Sequence, residues 1–429
     1  METHRETPTT PALRFLPFGL SNLRIGETIR QAGLLFSAQT GAMFVNLLVT
    51  LVLLKWMDSE EMGRLAFCLS VIVLAGLFFE LGIFAAGARV LALARNSGAE
   101  GRALGALVLL TIMIGAALAL FVAGTAPLID AIFKTDVHGL LITASALAFV
   151  QPFQLLIELS CQGLNRIRQL AMFQLLMTGL YLIGLLALAL TNHLNAKSAL
   201  LAYLTGVGIA SLVTLIFLRP KFQQSSHYIK LTLQEARSYG MNLYLARITA
   251  TASVRLDNFI IKYFVPGFNQ LGFYDRAQKL SNPVSSMSRA VAITRFRAFT
   301  NVEEIPRKIL KWNAIVLIAS SLALVVFGSL ALKLFFHKYA DSAPLLIPFA
   351  LYNLFAGLFQ PYNTFLSARG HSNYIRNIAI LVTIASITGL LIAVPLFGII
   401  GAAWAGAMTM LLDYLLHVYY YKKSRESGV

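Results

Sequence analysis

The sequence predicts an all-α integral membrane protein whose twelve membrane-spanning helices form two six-helix lobes around a central cavity. Hydrophobic residues make up 57% of the 429 residues. Charged residues make up only 13%, compared with about 25% in soluble domains. Twelve apolar stretches follow one another, each long enough to cross a hydrocarbon core of about 30 Å as a helix. Features of the first half also recur in the second half, which predicts two matched lobes.

The twelve predicted spans are joined by loops too short to form a separate domain. They lie near residues 31–54, 65–93, 103–124, 138–162, 169–190, 198–218, 236–264, 270–297, 310–334, 343–367, 374–395 and 398–420. The predicted organisation is an N-terminal segment 1–30, an N-lobe 31–218, a linker 219–235, a C-lobe 236–421 and a tail 422–429.

Basic residues in the loops predict the orientation of the chain. With twelve spans both termini lie on one side, and the loops of that side hold 23 Lys and Arg residues against 7 on the other side. Cytoplasmic loops are enriched in Lys and Arg, so we expect both termini in the cytoplasm. This topology explains the net charge of +16, and no nucleic-acid partner is predicted.

The two halves resemble each other at a nearly constant spacing. Gly63, near the start of the second span, has a counterpart in Gly272 at the start of the eighth span, 209 residues later. Gly163, which closes the fourth span, has a counterpart in Gly370, 207 residues later. Because each half has six spans, both halves start on the same side, which predicts parallel repeats about an axis along the membrane normal.

Spans seven and eight carry most of the charges inside the predicted membrane. A charge at the bilayer centre costs about 2.5–3.5 kcal/mol, so these groups need water, partners or an anionic ligand. Helical spacing places one polar stripe along span eight, formed by Asp275, Lys279, Asn282, Ser286 and Arg289. Two alternatives remain open, namely anchoring of Arg276 at the outer interface and extension of Arg247 to the cytoplasmic interface.

Amide side chains form further stripes in spans four and ten. The fourth span carries Gln151, Gln154, Glu158, Gln162 and Asn165, and the tenth carries Asn353, Gln360, Thr364 and Ser367. Pro152 and Pro361 interrupt these spans at similar places. Such stripes can simply join helices by hydrogen bonds. Their recurrence in both halves favours a shared aqueous cavity.

Two carboxylates in the spans need partners. Glu80 stands alone in span two and is either a proton-carrying group or the ion-pair partner of an arginine. Arg255 and Asp257 lie two residues apart, about 160° around the helix, so we expect only one of them to face the cavity and the other to face a neighbouring helix.

Other patterns predict packing and not chemistry. His337 and Asp341 have the His-x-x-x-Asp spacing of some acyltransferases, but they lie in a short outer loop, and no catalysis is predicted. Gly101 and Gly105 predict close packing between helices. Cys68 and Cys161 both lie in apolar stretches, so no disulfide is expected.

Several motifs together resemble those of the Wzx-type polysaccharide flippases, members of the multidrug/oligosaccharidyl-lipid/polysaccharide (MOP) exporter superfamily. The resemblance spans nearly the whole chain. It rests on Arg255-Leu-Asp257-Asn258, Leu271-Gly272-Phe-Tyr274-Asp-Arg-Ala277-Gln-Lys279, Glu80-Leu-Gly82-Ile with Arg89, Gln162-Gly163-Leu-Asn165-Arg166 and Pro395-Leu-Phe-Gly398-Ile-Ile-Gly401.

The resemblance implies a MATE-like fold that opens alternately to the two sides of the bacterial cytoplasmic membrane. It implies an undecaprenyl-pyrophosphate-linked oligosaccharide as substrate, membrane lipids, polysaccharide polymerase and chain-length proteins as partners, and no cofactor, with proton or sodium coupling in some relatives. Predicted substrate-binding residues are Arg247, Arg255, Lys279, Arg289, Arg276, Asn282, Gln151 and Gln360. Predicted charge-coupling residues are Glu80, Asp257 and Glu158.

Other functions remain as alternatives. A cation-coupled multidrug exporter of the same superfamily would have an acidic cavity, whereas spans seven and eight hold more basic residues than carboxylates. A non-transporting scaffold of a polysaccharide assembly complex would make the polar stripes dry packing seams. A membrane glycosyltransferase would need a long catalytic loop with paired carboxylates, and the predicted loops are too short. The sequence therefore predicts a transporter and not an enzyme.

Overall fold

The computed structural model describes residues 25–286, 288–289, 299, 302 and 304–426, and within this part the chain is helical with no strand. The predicted all-α fold is confirmed. The first half contains α1 (Ile25–Trp56), α2 (Ser59–Glu80), α3 (Ile83–Asn96), α4 (Glu100–Phe133), α5 (His138–Ala148), α6 (Gln151–Gly163), α7 (Ile167–Leu190) and α8 (Ala196–Leu218).

The second half begins inside the predicted linker. It contains α9 (Ser225–Glu235), α10 (Met241–Phe264), α11 (Asn269–Ser281), α12 (Arg307–Ala323), α13 (Ser329–Phe335), α14 (Leu346–Leu358), α15 (Gln360–Ala368) and α16 (Ser372–Glu426). A π-helical segment, Ala236–Gly240, joins α9 to α10 without a break. The linker is therefore largely helical and continues into the seventh predicted span.

Nine helical segments of the described chain are long and apolar enough to cross a membrane. One of them, Asn373–Arg425, has 53 residues, about twice the length that a crossing needs. Gly398 interrupts it with a φ of 58° and a ψ of −141°. Tyr374 packs on Tyr420 with ring centroids 4.9 Å apart, so the two halves of α16 run antiparallel. The protein is a multi-pass membrane protein, and the count of twelve spans stays a prediction.

Proline breaks one predicted span in each lobe at equivalent places. Pro152 occupies the first turn of α6, just after α5 ends, and Pro361 occupies the first turn of α15, just after α14 ends. A helix tolerates proline in its first turn because the N–H groups there have no intrahelical acceptor. The two prolines are 209 residues apart, the same spacing as Gly63 and Gly272.

The lobes touch where α2 and α11 begin. A Cβ atom on Gly63 would lie 2.0 Å from the carbonyl oxygen of Phe268, and a Cβ on Gly272 would lie 1.9 Å from that of Ser59. Only glycine permits backbones to approach this closely. Each contact is the image of the other under the 209-residue spacing, as expected for parallel repeats.

Aromatic rings from both lobes seal the same region. Phe67 of α2 has its ring centroid 5.9 Å from that of Phe268 and 5.4 Å from that of Phe259 in α10. All three belong to, or pack against, one large apolar cluster that includes residues of both lobes. By the predicted topology this seal lies at the outer end of the molecule.

The prediction of helix packing at Gly101 and Gly105 is wrong. A Cβ on Gly105 would lie 2.1 Å from the carbonyl oxygen of Lys221, and one on Gly101 would lie 3.2 Å from that of Arg219. The chain turns at Arg219, where φ is 56°, and runs back along α4. The backbone that packs closely on these two glycines is therefore the start of the linker, and not another helix.

Candidate inter-lobe polar site

Helix α2 of the first lobe meets α10 of the second lobe through polar and backbone contacts. Asn258 Nδ2 donates to Ser70 Oγ over 2.7 Å. At the far end of α2, Leu81 and Gly82 both have positive φ. A Cβ on Gly82 would lie 2.4 Å from the backbone of Gly240. This close approach explains the glycine of the Glu80-Leu-Gly82 motif and places Glu80 against α10.

Of the two alternatives for Glu80, the ion pair with an arginine is present, and it joins the two lobes. Its Oε2 lies 3.8 Å from Nε of Arg247. The Glu80 side chain is 2% exposed, while Arg247 is 36% exposed. Arg247 also lies close enough to Glu158 of α6 for a Coulombic interaction. One C-lobe guanidinium thus forms an ion pair with Glu80 and also acts electrostatically on a second N-lobe carboxylate.

The amide side chains of α6 form a row that runs from Glu158 through Gln154 to Gln151. Gln151 Nε2 lies 3.4 Å from Gln154 Oε1, and Gln154 Nε2 lies 3.4 Å from Glu158 Oε1. Tyr203 of α8 donates its hydroxyl to Gln154 over 3.4 Å. These are long hydrogen bonds, and the side chains involved are only half-buried. The stripe therefore has hydrogen-bonding capacity to offer a ligand.

A second charged group lies on α11. Asp275 forms an ion pair with Arg276, and Nζ of Lys279 lies 3.1 Å from Asp275 Oδ1. Arg276 is 2% exposed, so it does not anchor at the membrane interface, and that alternative is wrong. Within the described part of the chain, Nη1 of Arg276 is buried without a hydrogen-bond acceptor. This group holds two cations for one carboxylate.

Asp257 faces a neighbouring helix, as expected for one member of the pair with Arg255. Its carboxylate accepts hydrogen bonds from the Tyr274 hydroxyl over 3.0 Å and from Gln278 Nε2 over 3.3 Å. Asp257 is 5% exposed and joins α10 to α11. The side chain of Arg255 lies outside the described part of the structure.

Tyrosines of the N-lobe connect the two charged groups. Tyr181 of α7 is within Coulombic range of Arg276 and Asp275, and its ring lies 5.6 Å from that of Tyr203. Tyr203 in turn bonds Gln154, next to Glu158. The polar belt, as we name it, consists of Asp275, Arg276, Lys279, Tyr181, Tyr203, Gln151, Gln154, Glu158, Arg247 and Glu80. It contains side chains of both lobes.

Other predicted binding residues lie outside the polar belt. Asn282 follows α11 and is exposed, and Arg289 is exposed with Tyr352 of α14 in Coulombic range. Gln360 is buried in the first turn of α15. Asn353 joins α14 to the end of α11 by bonding Ser281 and Ser285, the helix-joining role that was the alternative for this stripe. The substrate-binding and coupling roles themselves stay predictions.

Some polar residues at the lobe contact were not singled out from the sequence. Tyr181 and Tyr203 carry no sequence signal, because tyrosine is common at membrane interfaces without any binding role. Lys262 was counted in an outer loop, yet it is 4% exposed and its Nζ lies 4.9 Å from the centre of the Phe268 ring. Its place one helical turn beyond Asn258 was the available signal.

One group of side chains has the composition of a metal site. Asp130, Asp136 and His138 bring one oxygen or nitrogen each within 4.8 Å of one another. The Asp130 carboxylate already accepts from the backbone N–H groups of Val137 and His138, at 2.9 and 3.1 Å. It therefore caps the start of α5, and we assign no metal to it.

One protein family matches more than half of the chain. Residues 28–291 match the family described as Polysaccharide biosynthesis protein. The chain belongs to this family. No curated protein matches the chain.

Solved structures identify the fold of this family member. The lipid II flippase MurJ in an inward closed conformation gives a TM-score of 0.71 at 14% identity, covering 92% of this chain and 87% of that chain. A multidrug resistance MATE family transporter of the MOP superfamily gives 0.71 at 13% identity in its inward-facing conformation, covering 92% and 98%. Its outward-facing conformation gives 0.60 at 15% identity, covering 92% and 96%. The predicted MATE-like membrane fold is confirmed.

Proposed function

We propose that the protein is a flippase for a polyprenyl-pyrophosphate-linked oligosaccharide, such as an O-antigen or exopolysaccharide repeat unit, in the bacterial cytoplasmic membrane. The substrate moves from the cytoplasmic to the outer leaflet by alternating access. Membership of a polysaccharide biosynthesis family and a fold shared with a lipid II flippase support this function. Both termini lie in the cytoplasm according to the loop charges.

The observation that carries the proposal is the position of Arg247. It is half-exposed and its ion pair with Glu80 is long, at 3.8 Å, so the guanidinium is not bonded tightly to its partner. A pyrophosphate offers guanidinium several charge-assisted hydrogen bonds at once. In the proposed mechanism the pyrophosphate displaces Glu80 from Arg247, and Glu80 pairs with it again after release.

The rest of the polar belt suits a glycan. The oxygens and nitrogens of Gln151 and Gln154 make only long mutual hydrogen bonds, so sugar hydroxyls can compete for them. The ring faces of Tyr181 and Tyr203 offer flat apolar contacts beside these amides. Arg276 and Lys279 supply further positive charge on the C-lobe side. The polyprenyl tail stays in the bilayer.

Release to the outer leaflet requires the contacts between the lobes at their outer ends to separate. The reciprocal contacts of Gly63 and Gly272 close the seam between α2 and α11. The higher TM-score to an inward-facing than to an outward-facing transporter agrees with a closed outer end. Opening this seam while the opposite end closes is the proposed conformational cycle.

Complementation of a deletion strain tests this function. We expect the wild-type gene to restore surface glycan, and Arg247→Gln to insert normally but to leave lipid-linked oligosaccharide on the cytoplasmic face. Arg376→Gln, an exposed arginine of α16, is the matched control and should complement fully. Normal glycan export by Arg247→Gln would remove that residue from the mechanism.

The second candidate is a cation-coupled multidrug exporter, because the MATE transporter fits with the same TM-score as MurJ. That function predicts increased sensitivity to cationic drugs in the deletion strain, with intact surface glycan. The flippase function predicts that the deletion strain loses surface glycan and keeps its normal sensitivity to cationic drugs. A scaffold predicts a glycan defect that no Arg247 substitution reproduces.

A further inference from the structure

A cavity of about 480 Å³ lies on the N-lobe, away from the polar belt. It is formed where three helices and the linker meet, at the start of α4, the start of α7 and the end of α8. Its volume falls in the range of about 300–1,000 Å³ typical of small-molecule sites. No residue of this cavity belongs to the proposed transport site.

The cavity is strongly basic for its size. Its wall includes Arg166, Arg219 and Lys221, with Glu100 as the acidic member. Arg166 lies 3.4 Å from Glu100 and is partly neutralised by it. Arg219 and Lys221 are exposed, and no ion pair is seen for them in the described part of the chain. Two cations therefore face the cavity without a carboxylate partner.

The backbone holds these two cations in place. The Lys221 N–H donates to the Gly101 carbonyl over 2.7 Å, which fastens the start of the linker to the first turn of α4. A side chain at Gly105 would prevent this, since its Cβ would lie 2.1 Å from the Lys221 carbonyl oxygen. The backbone that carries the two linker cations is thus held against a helix.

The ends of three apolar helices indicate that the cavity lies at the depth of lipid headgroups. Helices α4, α7 and α8 are each long and apolar enough to cross the membrane, and all three have an end at the cavity. Phe217 and Ile216, in the last turn of α8 before the basic residues, are 56% and 64% exposed. Cations thus lie directly beside exposed apolar side chains, as an amphiphile with an anionic head requires. The loop charges place this face in the cytoplasm, where anionic lipids are abundant.

We propose that this cavity binds the phosphate headgroup of an anionic phospholipid. Arg219 and Lys221 bind the phosphate oxygens, and Phe217 and Ile216 contact the first part of the acyl chains. Basic pockets between membrane helices on the cytoplasmic side are known to take such headgroups. This binding is independent of the transported glycan, and it ties the N-lobe and the linker to the lipid composition of the inner leaflet.

Lipid titration of the purified, delipidated full-length protein in detergent tests the site. The probes are cardiolipin, phosphatidylglycerol, zwitterionic phosphatidylethanolamine and inorganic phosphate, with bound lipid counted by native mass spectrometry. We expect the two anionic lipids to bind and the zwitterionic lipid to bind far more weakly. Since each cation near an anionic headgroup contributes about fivefold, the double variant Arg219→Gln/Lys221→Gln should weaken binding about 25-fold.

Two further variants make the result specific. Arg307→Gln/Lys308→Gln removes one exposed arginine and one exposed lysine from the C-lobe and should leave binding unchanged. Glu100→Gln removes the acidic member and should strengthen binding. Equal binding of all lipids, or an equal loss of binding in both double variants, would overturn the lipid site. The same holds if inorganic phosphate, at the same concentration as the lipid, displaces the bound lipid.

Discussion

Gly63 and Gly272 occupy equivalent positions in the two lobes, and each admits the backbone of the opposite lobe. The missing side chain of Gly63 leaves room for the carbonyl of Phe268, and that of Gly272 leaves room for the carbonyl of Ser59. Both the glycines and their contact residues are separated by 209 positions. The outer seam is therefore closed by two copies of one contact.

A single methyl group should disturb this seam. In Gly63→Ala the new Cβ would lie 2.0 Å from a backbone oxygen that cannot move alone, so the lobes must separate at their outer ends. We expect slower glycan export and greater access of a membrane-impermeant thiol reagent to a cysteine placed at residue 59. Gly124→Ala is the control, since nothing lies within 4 Å of its added Cβ. Equal behaviour of the two variants would argue against a glycine seam.

A covalent bond across the seam should stop transport. Ser59 Oγ and Asn269 Oδ1 lie 2.9 Å apart on opposite lobes, so we expect cysteines at these positions to form a disulfide on oxidation. Cys68 and Cys161 are buried and free, and they should not interfere. We expect oxidised Ser59→Cys/Asn269→Cys to lose transport and to regain it on reduction, while each single variant stays active. Full activity of the cross-linked protein would show that this seam does not open.

Exchanging the charges of Glu80 and Arg247 can distinguish a structural role of this ion pair from a role in substrate binding. Glu80→Gln removes the ion-pair partner of Arg247, and the double exchange Glu80→Arg/Arg247→Glu restores an ion pair with the charges reversed. We expect the exchange to recover thermal stability but not transport, because the cation has moved to the other lobe. Recovery of transport by the exchanged pair would mean that the ion pair serves only packing.

The charged group on α11 should matter for stability. Asp275→Asn leaves Arg276, which is 2% exposed, without its ion-pair partner. Breaking a buried pair in this way costs about 3–5 kcal/mol. We expect a clearly lower melting temperature for the purified protein. Asp136→Asn, at a side chain that is 85% exposed, should leave the melting temperature unchanged.

Hydropathy was sufficient to predict the helical membrane fold, and the glycines that recur about 209 residues apart were sufficient to predict the duplication. Helical spacing also predicted that one member of the pair Arg255 and Asp257 faces another helix, but it could not predict which one. An ion pair with an arginine was one of two alternatives for Glu80, because a lone carboxylate in an apolar span needs either a proton or a cation. The role of Gly101 could not be predicted, because sequence spacing does not show whether a helix or a linker packs on a glycine. Lys262 was misplaced for a related reason, since a lysine near a helix end is usually solvated, and only the Phe268 ring that covers it shows that it is buried.

The central measurement is the flipping of a fluorescent polyprenyl-pyrophosphate oligosaccharide in vesicles that contain the purified protein. We expect protein-dependent transfer between leaflets, lost in Arg247→Gln, preserved in Arg376→Gln and stopped by the cross-link between residues 59 and 269. Transfer at the rate of protein-free vesicles, or transfer that Arg247→Gln leaves intact, would contradict a flippase that uses Arg247 to hold the pyrophosphate.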